Sequence, residues 1–258
     1  MKRLTLKTVL SSVAGIVLVV LIFGGMYLSS PKPQYVAHMG YSRAYLGNTE
    51  DAFLAAAKMN FYGIETDIRK TADGRFVCNH DETVKYANGE ERIVSKSDFD
   101  LLVSEPLQND KGGKAYLCTF ERYLDICKSK GKVAVIELKE DFGIEDVDAI
   151  LAIVDEHYDR ASISVISFYF DALLLVRLED PTIDLQYLSE TKNDPVFDRC
   201  LKEKVSISIR QSILKRKIVR TFHAAGLTVN TWTVNKWYDR IIVRFKGADY
   251  VTTDVYDK

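Results

Sequence analysis

The sequence predicts an α/β fold, a closed (β/α)8 barrel, because short β-type runs alternate with amphipathic helical stretches from residue 35 onward. Seven or eight such units occupy roughly 225 residues, and a barrel of this type needs about 200–250. A doubly wound open sheet is the alternative, although no glycine-rich dinucleotide fingerprint opens the first helix. The composition, 47% hydrophobic and 28% charged, is that of an ordinary globular domain.

The predicted strands cover residues 35–38, 63–68, 76–79, 133–138, 162–167, 183–188, 205–209, 228–232 and 250–252. Helices are predicted over residues 49–60, 119–129, 144–158, 170–178, 212–225 and 239–245. Asn48 or Thr49 suits the N-cap of the first helix, and Gly131 and Gly226 stand where glycines end helices. Residues 85–114 are rich in Asn, Gly, Glu and Lys, so they are predicted to leave the barrel, with one helix over residues 96–103.

The N-terminal segment differs from everything after it. Lys2, Arg3 and Lys7 precede residues 9–28, which carry no charge and match the roughly 20 apolar residues that span a bilayer. We interpret residues 1–30 as an uncleaved, single-pass transmembrane anchor, with a cleaved signal peptide as the alternative. Because basic flanks stay in the cytoplasm, residues 31–258 are expected to form a folded domain on the outer side of the cell membrane.

Charge and cysteine content narrow the function classes. The chain has 35 basic and 36 acidic side chains, and no basic cluster is interleaved with aromatic residues. Nucleic acid is therefore not an expected partner. The cysteines have neither C-x-x-C spacing nor a histidine at zinc-ligand spacing, so buried, unpaired thiols are predicted at Cys78, Cys118, Cys127 and Cys200.

Two predicted strands carry charged side chains at alternate positions near their carboxyl ends. Glu65 and Asp67 project from the same face of one strand, and Glu137 and Lys139 do so on another. Barrel active sites are built at this end of the strands. Three carboxylates there would repel one another without a cation, and oxygen-only ligands suit magnesium or calcium. Ordinary ion pairs, Glu137 with Lys139 or Asp67 with Arg69, are the alternative.

Histidine supplies a second candidate group. His38 and His80 each end a predicted strand, whereas His157 and His223 fall in helical stretches and are expected to have no catalytic role. Near neutral pH an imidazole can accept or donate a proton, so two of them beside one phosphodiester could act as base and acid.

Short motifs connect these residues in a fixed order. They run His38-x-Gly40, Asn48-Thr49, Ala52-Phe53, Ile64-Glu65-Thr66-Asp67, Thr71-x-Asp73-Gly74, Val77-x-x-His80-Asp81, Ile136-Glu137-Leu138-Lys139, Ser167-Phe168, Trp232-Thr233-Val234-Asn235, Gly247-Ala248-Asp249 and Thr253-Asp254. The ordered set resembles the glycerophosphodiester phosphodiesterase family over residues 35–254. That resemblance implies a TIM barrel with a small insertion after the second strand unit, which matches residues 85–114.

The resemblance also implies a reaction and a role for each site residue. The reaction is metal-dependent hydrolysis of a glycerophosphodiester to glycerol phosphate and an alcohol, with either water or the neighbouring glycerol hydroxyl as attacker. The implied roles are metal binding by Glu65, Asp67 and Glu137, base and acid catalysis by His38 and His80, phosphate neutralisation by Lys139 and a glycerol-facing wall at Trp232.

The sequence departs from the family pattern at two neighbouring loops. The usual H-R-G is His38-Met39-Gly40, and the usual P-E-N-T is Leu46-Gly47-Asn48-Thr49. Loss of one cation and one anion together suggests that the two normally pair. Arg43 is a candidate replacement for the phosphate contact, with a solvated surface arginine as the alternative. Two other functions stay open: a phosphodiesterase acting on intact lipid, and a barrel that binds glycerophosphate groups without cleaving them.

Overall fold

The computed structural model describes residues 24, 25, 27, 28 and 30–256. The predicted membrane span over residues 9–28 therefore lies outside the described residues except at its last few positions. Among the residues that are described, none of the helices has both the length and the apolar character needed to cross a bilayer.

Eight parallel strands close into a barrel because β1 pairs with both the last strand and β2. The prediction of a (β/α)8 barrel is confirmed, and the open-sheet alternative is excluded. The barrel strands are β1 (Gln34–Ala37), β2 (Gly63–Lys70), β7 (Val133–Leu138), β8 (Ile163–Ser167), β9 (Asp184–Ser189), β10 (Ser206–Arg210), β11 (Val229–Trp232) and β12 (Tyr250–Thr253). We call the end where these strands finish the mouth and the end where they begin the base.

Seven helices of residues 30–256 pack around the barrel, and they are α1 (Glu50–Ala57), α3 (Phe120–Ser129), α4 (Ile144–His157), α5 (Phe170–Glu179), α6 (Val196–Glu203), α7 (Arg216–Ala224) and α8 (Trp237–Lys246). The short helix α2 (Phe99–Val103) lies apart from them. Thr49 is the N-cap of α1, and its hydroxyl accepts from the Ala52 amide. Helix α6 was not predicted: it has eight residues, and Cys200 is the one buried residue among them.

In the part of the chain that the structure describes, four short strands lie outside the barrel: β3 (Phe76–Cys78), β4 (Thr83–Lys85), β5 (Glu91–Ile93) and β6 (Cys118–Thr119). The predicted strand over residues 76–79 is therefore not a barrel strand. It pairs antiparallel with β2 and β6, so the excursion begins before residue 85. This insertion has its own apolar core, which includes Tyr86, Phe99 and Leu102.

Packing around β2 and β7 fixes the two strands that carry the acidic residues. The buried Tyr123 hydroxyl of α3 lies 2.6 Å from the Ile64 carbonyl and 3.2 Å from the Val135 carbonyl, bridging both strands. Inside the barrel, the cluster that contains Val36, Val135 and Leu188 fills the space between the strands. The cysteines are free and buried, as predicted.

Candidate active site

Three carboxylates meet at the mouth, at the carboxyl ends of β2 and β7. Asp67 lies directly opposite Glu137 in the parallel register, and Glu65 is two residues earlier on β2. One oxygen from each lies within 4.8 Å of the others, and all three residues are buried. The sequence prediction that Glu65, Asp67 and Glu137 converge is therefore met by the geometry.

The hydrogen bonding of this cluster leaves capacity for a cation. Glu65 Oε2 accepts from the Met39 amide at 2.7 Å, whereas Glu65 Oε1 is buried without a hydrogen-bond partner in the described residues. Lys139 Nζ lies 2.9 Å from Glu137 Oε1 and 3.5 Å from Asp67 Oδ1. The alternative ion pair of Glu137 with Lys139 is therefore present in the structure. If all three carboxyl groups were ionised, this single ammonium would offset only one of their charges. An all-oxygen donor set with an unpartnered buried oxygen fits a hard divalent ion.

Burial and mutual repulsion hold protons on two of these carboxyl groups. Burial, followed by the charge of Asp67, raises the pKa of Glu65 to about 8. The same two causes raise the pKa of Glu137 to about 7, against the attraction of Lys139. Burial opposes the charged form of Lys139, but the charges of Glu137 and Asp67 raise its pKa above the ordinary value. The metal-free cluster therefore competes for protons near neutral pH.

We expect the metal-free chain to lose stability as the pH rises from about 6 to 8. In this window the folded state retains a proton on Glu137 up to about pH 7 and on Glu65 up to about pH 8, whereas unfolded carboxyl groups are already ionised. For each proton that the folded state retains and the unfolded state has lost, the free energy of unfolding falls by about 1.4 kcal/mol for every unit by which the pH rises. Urea denaturation in EDTA measures the slope. The Glu65→Gln variant should show a smaller slope, and stability that rises with pH in the unsubstituted chain would contradict the prediction.

His38 follows β1 directly and lies at the mouth beside the cluster. Its Nδ1 is 2.7 Å from Asp254 Oδ1, and Asp254 also accepts from Ser42 and Asn235. Burial opposes protonation of His38, but the hydrogen bond to Asp254 and the charges of Glu65 and Asp254 raise its pKa to about 9. The carboxylate fixes the ring orientation and leaves Nε2 as the atom available for proton transfer.

His80 lies in the turn between β3 and β4, at the edge of the same cavity. Its Nδ1 is 2.8 Å from Asp81 Oδ1, and its side chain is 54% exposed. Arg69 donates to the His80 carbonyl through Nε and Nη2, which ties this turn to β2. Both predicted histidines therefore reach the mouth, each with an aspartate at Nδ1.

A cavity of about 240 Å³ opens at the mouth. Its polar side is formed by His38, Glu65, His80, Glu137 and Lys139, and its apolar side includes Ile166, Phe168, Leu188 and Trp232. The Phe168 and Trp232 rings meet edge to face at 6.0 Å. A cavity of similar volume, about 230 Å³, lies at the base, but the carboxylate and histidine groups are concentrated at the mouth.

Met39 and Gly47 are neighbours in the structure. They stand where the family pattern has an arginine and a glutamate, so the proximity agrees with the suggestion that these two residues normally pair. Met39 has a left-handed backbone conformation, with φ 52°. A Cβ on Gly47 would lie 2.9 Å from Met39 Cβ and 3.4 Å from its sulfur. Arg43 is exposed and is not among the residues lining the mouth cavity, so its proposed phosphate contact stays a prediction.

Two site residues received no individual role from the sequence. Asn48 bridges the cluster, because its Nδ2 donates to Asp67 Oδ2 at 2.7 Å and its Oδ1 accepts from Thr66. Asp254 orients His38 across 216 residues of chain. Both residues belong to the motifs that resemble the family, but a motif does not say which residues its side chains contact. These contacts form only where loops meet once the barrel has closed.

Fold and site together define a barrel enzyme with two histidines beside a buried carboxylate cluster whose oxygens fit a divalent cation. The model of the "Glycerophosphoryl diester phosphodiesterase family" matches residues 38–258. The chain belongs to this family and is, by class, a phosphoric diester hydrolase.

Similar proteins agree with this assignment. A glycerophosphodiester phosphodiesterase of Bacillus altitudinis is 24% identical over 233 residues, covering 86% of this chain and 94% of the relative. A phosphodiesterase of Oleispira antarctica, solved in complex with the product sn-glycerol-3-phosphate, has a TM-score of 0.76 at 22% identity and coverage of 89% and 95%. A glycerophosphodiester phosphodiesterase of Parabacteroides distasonis has a TM-score of 0.74 at 24% identity and coverage of 88% and 94%. At these identities the two solved structures support the fold.

Proposed function

We propose that this chain hydrolyses glycerophosphodiesters to glycerol phosphate and an alcohol, using a divalent cation, magnesium or calcium. The observation that carries the proposal is the convergence of three buried carboxylates, two of which, Glu65 and Glu137, line the same cavity as His38 and His80. Its likeness to a phosphodiesterase that was solved with sn-glycerol-3-phosphate supports the glycerophosphate half of the substrate.

In this proposal each residue acts at a stated atom. Glu65, Asp67 and Glu137 would hold the cation, which supplies charge to polarise the phosphoryl group. His38 Nε2 removes the proton of the attacker, and Asp254 holds the ring at Nδ1. The attacker is water, or it is the neighbouring glycerol hydroxyl, in which case water opens the resulting cyclic phosphate in a second step. His80 donates a proton to the leaving oxygen. Lys139 adds a positive charge beside the phosphate, and Trp232 with Phe168 forms the wall against the glycerol carbons.

The test is turnover by the purified chain in detergent. Glycerophosphocholine, glycerophosphoglycerol and a glycerol-phosphate polymer would be compared with magnesium, with calcium and with EDTA. Metal-dependent release of glycerol phosphate supports the proposal. Tight, metal-dependent binding of these compounds without any cleavage would reject catalysis and favour the binding alternative.

We also propose that residues 9–28 anchor the chain in the cell membrane, with the barrel on the extracellular side. The support is the charge-free run and the basic Lys2, Arg3 and Lys7 before it.

A second candidate, cleavage of intact lipid, is favoured by one observation. Exposed aromatic side chains ring the mouth on the loops after β1, β8 and β11, and they are Tyr45, Phe168, Tyr169, Trp237 and Tyr238. Such an apolar rim is a feature of surfaces that meet lipid or a partner molecule.

We expect Met39→Arg to lower KM for a glycerophosphodiester about ten-fold, because a restored charged contact to phosphate adds about 1.5 kcal/mol or more of binding. Gly47 leaves room for the longer side chain, and no acidic side chain stands at position 47 to pair with it. Steady-state kinetics of Met39→Arg beside the uncharged Met39→Gln would measure this. An unchanged KM would show that position 39 does not face the phosphate.

A further inference from the structure

The N-terminal segment is fastened to helix α8. Arg244 is buried, and its guanidinium donates to the Ser30 carbonyl at 2.7 Å through Nη2 and 3.3 Å through Nε. Arg244 Cζ also lies 4.1 Å from the centroid of the Tyr27 ring. That ring lies 5.4 Å from the ring of Phe245. A cation–π contact, an aromatic contact and two hydrogen bonds therefore hold Tyr27 and Ser30 on α8.

This attachment lies at the base of the barrel. Helix α8 connects the carboxyl end of β11 to the amino end of β12, so its last turn, with Arg244 and Phe245, is at the base. The amide of Gln34, the first residue of β1, donates to the Asp249 carbonyl there. His38 lies four residues farther along the chain than Gln34, about 13 Å away at 3.3 Å per residue. The N-terminal segment and the site therefore occupy opposite ends of the barrel.

The chain between the apolar run and β1 is too short to bring the mouth of the barrel next to the membrane. Leu28, the end of the apolar run, precedes Gln34 by six residues, which span about 21 Å when fully extended. A domain of this size has a radius of gyration of about 17 Å and is roughly 45 Å across. A path from the base over the flank to the mouth is longer than the connection, even if Tyr27 and Ser30 were released from α8.

We propose that the mouth faces away from the bilayer that holds residues 9–28, and that its substrates are water-soluble or polymeric glycerophosphodiesters rather than lipids of that bilayer. The inference rests on the proposed function, specifically on the membrane anchor. It decides between the two candidate activities, because a lipid in the anchoring membrane cannot reach a cavity at the far end of the barrel.

With the mouth turned away from the membrane, the exposed aromatic residues around it would contact a soluble substrate instead of lipid. Phe168, Tyr169 and Trp237 are exposed at the mouth, on the side turned away from the membrane. Their flat, apolar faces can pack against the glycerol carbons of a chain-like substrate that lies across the cavity.

The test measures the orientation of the full chain in phosphatidylcholine/phosphatidylglycerol vesicles. The native cysteines are buried, so a membrane-impermeant maleimide fluorophore labels one introduced site on the outward-facing domain. Lys130→Cys places the label at the base and Lys192→Cys places it at the mouth; both positions are exposed. Energy transfer to a headgroup acceptor should be clearly stronger from the Lys130→Cys label, because the two labels differ in height by up to roughly 45 Å.

A long linker supplies the control. Thirty Gly/Ser residues inserted between Ser30 and Pro31 add a root-mean-square reach of about 30 Å, so the difference between the two labels should shrink. Equal or stronger transfer from the Lys192→Cys label in the unmodified chain would overturn the inference. A chain that fails to float with vesicles would overturn the anchor, and the inference with it.

Activity in the same vesicles tests the substrate class. The chain should cleave added glycerophosphocholine and leave the vesicle phosphatidylglycerol intact. Release from that lipid of glycerol phosphate, leaving diacylglycerol, or of glycerol, leaving phosphatidic acid, would overturn the inference. A chain with the expected orientation but no turnover of any soluble diester would instead overturn the proposed chemistry, and with it the substrate assignment.

Discussion

Glu65→Gln is expected to reduce kcat/KM for a glycerophosphodiester by about 10³-fold or more, because removing one ligand charge weakens a site worth several kcal/mol to the transition state. Glu65 is the right position to test, since its Oε1 has no hydrogen-bond partner within the described part of the chain. Glutamine keeps the acceptor for the Met39 amide, so the loop after β1 should keep its conformation.

The same substitution should raise the stability of the metal-free protein. Burial and the charge of Asp67 disfavour the ionised form of Glu65, and the neutral amide removes that repulsion. Thermal unfolding with EDTA and with magnesium would separate the two effects. Glu145→Gln, at an exposed carboxylate in the first turn of α4, is the control. Full activity of Glu65→Gln, or equal stabilisation of both variants by magnesium, would reject a metal role for Glu65.

His38→Ala should lower kcat by about 10²–10⁴-fold, the range that proton transfer by a positioned side chain contributes. The chain offers a matched control in His223, whose Nε2 lies 2.8 Å from Asp249 Oδ2 at the base. His223→Ala removes a similar histidine–aspartate pair far from the site, so it should leave kcat close to that of the unsubstituted chain. Equal losses from the two variants would indicate a general effect on folding rather than catalysis.

Asp254→Asn separates orientation from proton transfer. His38 keeps its ring in this variant but loses the carboxylate that binds Nδ1. We therefore expect a smaller loss of kcat than in His38→Ala and a shift of the pH–rate profile toward lower pH, because a charge that raises the pKa of His38 is gone. An unshifted profile would show that Asp254 has only a structural role.

The barrel and most of its site were predictable because their signals are local. Alternating strand and helix patterns gave the eight barrel strands, and the i, i+2 spacing of Glu65 and Asp67 placed both on one strand face. The contacts of Asn48 and Asp254 were not predictable from pattern alone, since each depends on loops brought together by closure. The strand predicted over residues 76–79 is present as β3, but its antiparallel pairing outside the barrel was not predictable, because an antiparallel extension and a barrel strand have the same local composition.

The insertion has a consequence for how such an enzyme diversifies. His80 sits at its root, between β3 and β4, and the segment beyond packs on a small core of its own around Tyr86, Phe99 and Leu102. His38 and the carboxylates instead depend on the main barrel. In the proposed reaction, substitutions in the small core would therefore move His80 relative to a carboxylate cluster that the barrel holds in place. Leaving-group preference could then change while the barrel keeps its stability.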